Sequence, residues 1–82
     1  MKVQFKLFAT LSTYLPPGAE KNAVTLSVEP GLTIHQLIDR YQVPREQVHL
    51  VLLNGHFVAE SDRDAALSEG DALAIWPPVA GG

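Results

Sequence analysis

The last six residues are the part of the chain best suited to chemistry, because two prolines there lead into two glycines and a terminal carboxylate. The segment reads Pro77-Pro78-Val79-Ala80-Gly81-Gly82. Prolines cannot join the interior of a sheet ladder and favour an extended path, which predicts a tail that projects from the folded body. Glycines have no side chain and fit a slot too narrow for a Cβ atom. The predicted working group is therefore the carboxylate of Gly82, with Gly81 beside it.

The rest of the chain offers no competing reactive group. It contains no cysteine, which excludes disulfides, thiolate metal sites and thiol nucleophiles. The histidines at positions 35, 49 and 56 lack the spacing of a metal site, and no glycine-rich phosphate loop is present. The expectation is a chain without a metal site. The plain alternative for the tail is a loose chain end that does nothing.

Composition predicts one small globular domain. The chain has 82 residues, of which 46% are apolar and 18% charged. Its net charge of −3 argues against nucleic acid and fits a partner that presents basic residues. No apolar run is long enough for a signal peptide or a membrane span, so the cytoplasm is the expected compartment. Acidic residues concentrate between Glu60 and Asp71, opposed only by Arg63, and a solvated loop is the simplest interpretation.

Apolar periodicity predicts several strands and one long helix. Alternation predicts strands over residues 3–7, 24–28 and 73–76. The capping-box pattern of Thr33 and Gln36, followed by an apolar stripe, predicts a helix over 34–41 that Pro44 ends. A shorter helix is predicted over 9–15.

The remaining apolar segment, residues 48–53, predicts a central strand covered on both faces. Asn54-Gly55 after it is a strong hairpin signal and predicts a brief return strand at 57–58. This order of elements indicates the α+β class, with a mixed four- to five-stranded sheet around one main helix. That arrangement is the β-grasp. The predicted division is a domain over 1–76 and a functional tail over 77–82.

Strand parity places three large aromatic residues on the outer face of the sheet. If the alternating apolar residues face the core, Phe8, Phe57 and Trp76 face outward. Ordinary edge packing or a minor second core would explain them. If they cluster, they form a patch of the kind that marks an interface. We expect the three aromatic side chains to ring the exit of the tail.

Four segments carry a resemblance to a known family. They are Val3–Leu11, Leu53-Asn54-Gly55, Leu67–Asp71 and Ile75–Gly82. In these segments the chain resembles the MoaD/ThiS family of ubiquitin-like sulfur carriers, and within it the small subunit of molybdopterin synthase. The resemblance covers the whole chain.

The resemblance implies a mechanism and a set of partners. A ubiquitin-activating-type adenylyltransferase would use ATP to adenylate the Gly82 carboxylate, and a sulfur donor would then replace AMP to leave a thiocarboxylate. In the molybdopterin branch, the tail enters the large subunit of the synthase and its sulfur goes to a pterin precursor. The chain itself is then a carrier without a bound cofactor and not an enzyme. The partner-binding residues implied are Phe8, Phe57, Trp76, Pro77, Pro78, Val79 and Ala80.

Three other interpretations stay open at the level of the sequence. A carrier of the thiamine pathway uses the same mechanism, although such chains are usually shorter and lack the opening strand-helix signature and the approach Trp76-Pro77-Pro78. A ubiquitin-like modifier would join Gly82 to lysines of other proteins. A binding module whose tail has no role is the third.

Overall fold

The computed structural model describes residues 1–79 of the chain, so Ala80, Gly81 and Gly82 lie outside the described residues. Within that range the chain forms five strands, one α-helix and three short 3₁₀ helices. The strands are β1 (Lys2–Leu7), β2 (Ala23–Ser27), β3 (Leu50–Leu53), β4 (His56–Phe57) and β5 (Ala72–Trp76). The α-helix is α1 (Ile34–Arg40), and the 3₁₀ helices are Ala9–Tyr14, Arg45–Gln47 and Glu60–Asp62.

The five strands form one mixed sheet in the order β2-β1-β5-β3-β4. The first and last strands, β1 and β5, lie side by side in parallel, whereas every other pair is antiparallel. Parallel neighbours need a crossover connection, which here comprises everything between Leu7 and Ala72 and includes α1. The sheet and its single main helix form the predicted β-grasp fold.

The core lies between one face of the sheet and α1. Alternate residues of β1 and β5 are almost completely buried, as their period of two requires. From the helix, Ile34, Leu37 and Ile38 are equally buried, and the ring of Tyr41 packs 5.4 Å from that of Phe5. Each such side chain contributes roughly 1.5–3 kcal/mol of hydrophobic stabilisation. The other face of the sheet has no covering layer among residues 1–79.

The helix begins as the sequence predicts. Thr33 Oγ1 accepts the Gln36 amide at 3.1 Å, and the Thr33 amide donates to Gln36 Oε1 at 3.0 Å, which completes the capping box. Two further amide groups, those of Ile34 and His35, donate to backbone carbonyls of the loop that follows β4. The loop therefore satisfies helix donors that would otherwise lack partners.

Two predicted elements differ from the structure. The segment predicted as a helix over 9–15 is a 3₁₀ helix, closed by i to i+3 bonds such as that from the Leu15 amide to the Ser12 carbonyl at 3.1 Å. The strand over 48–53 is shorter, and the prediction that both its faces are covered is wrong. Only Val51 is fully buried, since Leu50 and Leu52 point to the uncovered face and stay half-exposed.

The predicted hairpin at Asn54-Gly55 is confirmed. Both residues have positive φ angles, 52° and 82°, as a two-residue turn of this kind requires. Asn54 also binds the start of β5. Its Oδ1 accepts the Ala72 amide at 2.8 Å, and its Nδ2 donates to Asp71 Oδ1 at 2.9 Å, while Asp71 Oδ2 accepts the Ser68 amide at 2.8 Å. Two of these three hydrogen bonds join the turn to the start of β5, and the third orients the Asp71 carboxylate that the turn binds.

The variant Asn54→Asp tests whether these hydrogen bonds stabilise the fold. The substitution removes the amide donor and sets a second carboxylate against Asp71, whose charge raises the pKa of the introduced carboxyl group in the folded state. A folded-state pKa above the unfolded value means that stability is lost as the pH rises above about 4. We expect a loss of about 1–3 kcal/mol at neutral pH that shrinks in acid, measured by urea unfolding of variant and parent across pH.

The matched control exchanges the two residues. In the double variant Asn54→Asp/Asp71→Asn all three hydrogen bonds can re-form. The Ala72 and Ser68 amides still donate to a side-chain oxygen, and only the bond between the two side chains reverses its direction. We expect the double variant to regain most of the stability at neutral pH. A double variant as unstable as the single one would contradict the stabilising role of these hydrogen bonds.

Candidate functional site

The tail begins where β5 ends, and the backbone there is anchored on both sides. We call the segment from Trp76 to Pro78 the stem. The Phe8 amide donates to the Ile75 carbonyl at 3.1 Å, and the His49 amide donates to the Trp76 carbonyl at 3.0 Å. The backbone is therefore fixed by hydrogen bonds up to the last residue before the prolines.

The two prolines behave differently from one another. Pro77 is buried, whereas Pro78 is exposed and Val79 has 80% of its surface accessible. The prediction that both prolines project from the body is wrong for Pro77, because its ring still packs against the domain. The exposed part of the described tail begins at Pro78.

The uncovered face of the sheet is apolar near the tail. The strand registers place its side chains in two rows that cross the sheet. We call these residues the outer face: Phe8, Trp76 and Leu50 in the row beside the tail, and Ala74, Leu52 and Phe57 in the row behind it.

Phe8 and Trp76 are in direct contact. Their ring centroids lie 4.3 Å apart with an interplanar angle of 4°, so the rings are stacked. Both residues are half-buried. The pairing follows from the parallel register of β1 and β5, in which Leu7 lies opposite Ile75 and the next residues therefore meet on the opposite face.

Phe57 shares the outer face but does not join the stack. Phe57 is on β4, opposite Leu52 of β3, and it lies one row behind Trp76 and two strands away from it. Strand spacing and rise place its Cα roughly 12 Å from that of Trp76. With 64% of its surface accessible, Phe57 is far more exposed than the stacked pair. Two of the three predicted aromatic residues thus meet at the exit of the tail, and the third lies further along the face.

A groove opens at the base of the tail. It has a volume of about 430 Å³ and is largely apolar. Residues Ala9, Thr10, His49 and Leu50 line it, together with Trp76, Pro77, Pro78 and Val79. The sequence alone did not identify the first four of these residues. The available signal was the parity of the 48–53 run, which sends Leu50 to the same face as Trp76.

Charge is distributed unevenly around the molecule. All three arginines are engaged: Arg40 binds Glu29, Arg45 binds Asp39, and Arg63 is buried with its guanidinium on the Val58 carbonyl at 3.3 and 3.4 Å. The Arg40 hydrogen bond lowers the pKa of Glu29 to about 2, and Arg45 likewise lowers the pKa of Asp39.

The inward turn of Arg63 removes the one cation of the acidic segment from the surface. Glu60, Asp62, Asp64 and Glu69 remain exposed there. Asp64 Oδ1 lies 3.0 Å from Nδ1 of His35, within hydrogen-bonding distance.

Within residues 1–79, no group of three or more metal-ligating side chains converges. No helix in the same range is long and apolar enough to cross a bilayer.

The model of the ThiS family matches residues 5–82, nearly the whole chain and all of the tail. The chain belongs to the ThiS family. ThiS proteins are small ubiquitin-like carriers, and the predicted resemblance to the MoaD/ThiS group is confirmed at that level. No curated protein sequence matches.

Solved structures support the same assignment of the fold. SAMP1 from Haloferax volcanii is 27% identical, with both chains covered completely and a TM-score of 0.69. A putative molybdopterin converting factor subunit 1 from Pyrococcus furiosus is 22% identical over 95% of this chain and 98% of its own, with a TM-score of 0.67. Subunits 1 and 2 of the molybdopterin-converting factor from Helicobacter pylori form a complex that contains a chain 20% identical, with both chains covered completely and a TM-score of 0.60.

The different environments of the aromatic residues predict different costs of removing them. Phe57→Ala should change the free energy of unfolding by no more than about 0.5 kcal/mol, because the side chain is mostly exposed. Trp76→Ala should cost about 2 kcal/mol, since it loses both the stack and half-buried area. Urea unfolding of the two variants beside the parent measures both values. Equal losses would contradict the described packing.

Proposed function

We propose that this ThiS-family chain carries sulfur as a thiocarboxylate on Gly82 and delivers it for molybdopterin synthesis. The observation that carries the proposal is the environment of the tail where it leaves the domain. Hydrogen bonds anchor the stem there, and the residues that follow it are exposed beside an apolar face. The family model matches the chain through residue 82. A carrier needs an end group that another protein can reach, and an exposed chain after a fixed stem meets that need.

The proposed chemistry follows from the weakness of a carboxylate as an electrophile. The Gly82 carboxylate attacks the α-phosphorus of ATP, pyrophosphate leaves, and an acyl adenylate forms. A sulfur nucleophile then attacks the carbonyl carbon and expels AMP, which leaves a thiocarboxylate. The partner enzymes supply ATP, the sulfur donor and the catalytic groups, and this chain supplies the end group. The thiocarboxylate sulfur finally attacks a carbon of the pterin precursor and displaces an oxygen group. Water then cleaves the resulting thioester, which leaves the sulfur on the precursor and restores the Gly82 carboxylate.

The reach of the tail supports a docking role for the outer face. Gly82 lies three residues beyond Val79, and three residues span at most about 11 Å. An enzyme that acts on the Gly82 carboxylate must therefore come close to the groove and to the stacked pair of Phe8 and Trp76. The Helicobacter pylori complex of subunits 1 and 2 supports the large subunit of molybdopterin synthase as one such partner.

A protein-modifier role is the second candidate. It is favoured by the likeness to SAMP1, a small archaeal modifier protein, over the full length of both chains. In that role a lysine amine of a target, in place of a sulfur nucleophile, attacks the activated carbonyl and forms an amide. Sulfur delivery to the thiamine pathway, the third candidate, differs only in the final acceptor.

Intact-mass measurement distinguishes these candidates. The chain is incubated with ATP, its adenylyltransferase and a sulfur source, and then with the molybdopterin synthase large subunit and the pterin precursor. We expect a mass gain equal to one oxygen exchanged for one sulfur, which disappears as the precursor is converted. A thiocarboxylate that the synthase leaves intact but the thiamine pathway consumes would favour the thiamine role. Lysine conjugates without that gain would favour a modifier.

Variants of the tail supply the controls. Deletion of Gly81 and Gly82, or Gly82→Arg, should abolish the mass gain without changing the unfolding transition. Gln47→Arg adds the same charge at an exposed residue outside the outer face and should leave the gain intact. If the deletion variant still supports cofactor synthesis, the tail has no role and the proposal fails.

A further inference from the structure

We infer that the stacked pair of Phe8 and Trp76 sets the direction in which the tail leaves the domain, whereas Phe57, which lies on the same outer face but outside the stack, has no part in that direction. The three aromatic residues therefore differ in role. The inference rests on the proposed activation of Gly82, because it concerns how that end group reaches a partner's active site.

The pair sits where the direction of the tail is decided. Trp76 is the last residue of β5, and its carbonyl accepts the His49 amide at 3.0 Å. Phe8 is held from the other side by its own amide bond to the Ile75 carbonyl at 3.1 Å. The stacked rings thus join two backbones that are both fixed, so the plane of the indole ring and the peptide that follows it are fixed as well.

The two prolines extend the fixed orientation of the Trp76 peptide into the tail, because they restrict the backbone that follows it. Each proline fixes its own φ near −65°, and each restricts the residue before it to extended conformations. The restriction applies to Trp76 and Pro77, and Pro77 is also buried. From Trp76 to Pro78 the chain is therefore a stiff stem. Rotation at the Trp76 end turns the whole stem.

A small change of angle at the stem has a large effect at the terminus. Gly82 lies four residues beyond Pro78, and four residues span at most about 14 Å. A rotation of about 20° at the stem shifts the mean position of a group at that distance by about 5 Å. Misplacement of a reacting group by about 1 Å already costs up to a hundredfold in rate. Orientation of the stem therefore reduces the search that the terminus must make.

The rings differ in what they offer to a partner. In the stack, one face of each ring is covered by the other ring at 4.3 Å, and both residues are half-buried. Phe57 has 64% of its surface accessible and no ring partner among residues 1–79. Burial of exposed aromatic area is what gives a residue its binding energy at an interface. Phe57 is thus the better docking anchor, and Phe8 is the better positioning residue.

Steady-state adenylation separates the two roles. Phe8→Leu keeps an apolar side chain but removes the ring, and we expect kcat to fall about tenfold with KM within about twofold of the parent. Phe57→Leu should do the opposite, raising KM about tenfold with kcat unchanged. Phe8→Tyr restores a stackable ring and should restore kcat. A Phe8→Leu variant that changes only KM, or neither constant, would overturn the inference.

A second measurement does not depend on any enzyme. Backbone ¹⁵N relaxation reports the order parameter of the amide of Val79, which directly follows the stem and is the last described residue. We expect it to fall in Phe8→Leu, to recover in Phe8→Tyr and to be unchanged in Phe57→Leu, under conditions where urea unfolding shows each variant to be fully folded. An unchanged value in Phe8→Leu overturns the inference. If the parent chain is never adenylated, the proposed function fails, and the relaxation experiment still decides on the positioning role.

Discussion

The parallel pairing of β1 with β5 is the constraint on which the rest of the molecule depends. It places the last strand in the middle of the sheet, where it has a neighbour on each side. A strand at the edge would leave the stem with hydrogen bonds on one side only, and its direction would be less defined. Because the register puts Leu7 opposite Ile75, the next residues on the two strands, Phe8 and Trp76, meet on the outer face. One pairing thus fixes both the origin of the tail and the rings beside it.

The same architecture explains why an apolar face remains uncovered. A five-stranded sheet has two faces, and a chain with one main helix can cover only one of them. The uncovered face would normally carry polar residues, as Gln4 and Thr25 do toward the β2 side. Near the tail, leucines and aromatic residues replace them. Exposed apolar area of this kind costs solubility without a gain in folding, so its concentration beside the tail supports the docking role proposed for this face.

Much of the fold could be predicted because its signals are local. The Thr33 capping box, the Asn54-Gly55 turn and the alternation in β1 each depend on residues a few positions apart. Parity also predicted which face Phe8, Phe57 and Trp76 occupy, because side chains alternate along every strand. Their distances from one another could not be predicted. Those distances depend on strand order, in which residues 2–7 lie beside residues 72–76, and no local pattern encodes that neighbour.

The inward turn of Arg63 and the burial of Pro77 were missed for a related reason. Each depends on an acceptor or a surface that distant segments bring to it, namely the Val58 carbonyl for Arg63 and the packed end of the sheet for Pro77.

The proposed function leaves a choice between sulfur delivery and protein conjugation, both of which are acyl transfers from Gly82. Adenylation is common to both outcomes, and the two diverge only at the nucleophile, sulfur or amine. The described end of the tail comprises only Pro78 and Val79 beyond the buried Pro77, and neither of these two side chains carries a group that could distinguish sulfur from an amine. In the proposed function, the selection is then made by the partner protein that brings the nucleophile. Apolar area that a partner buries contributes roughly 25 cal/mol per Å², so substitutions on the outer face would change the affinity for each proposed partner. The outer face is therefore the part of the described chain in which these partners could be distinguished.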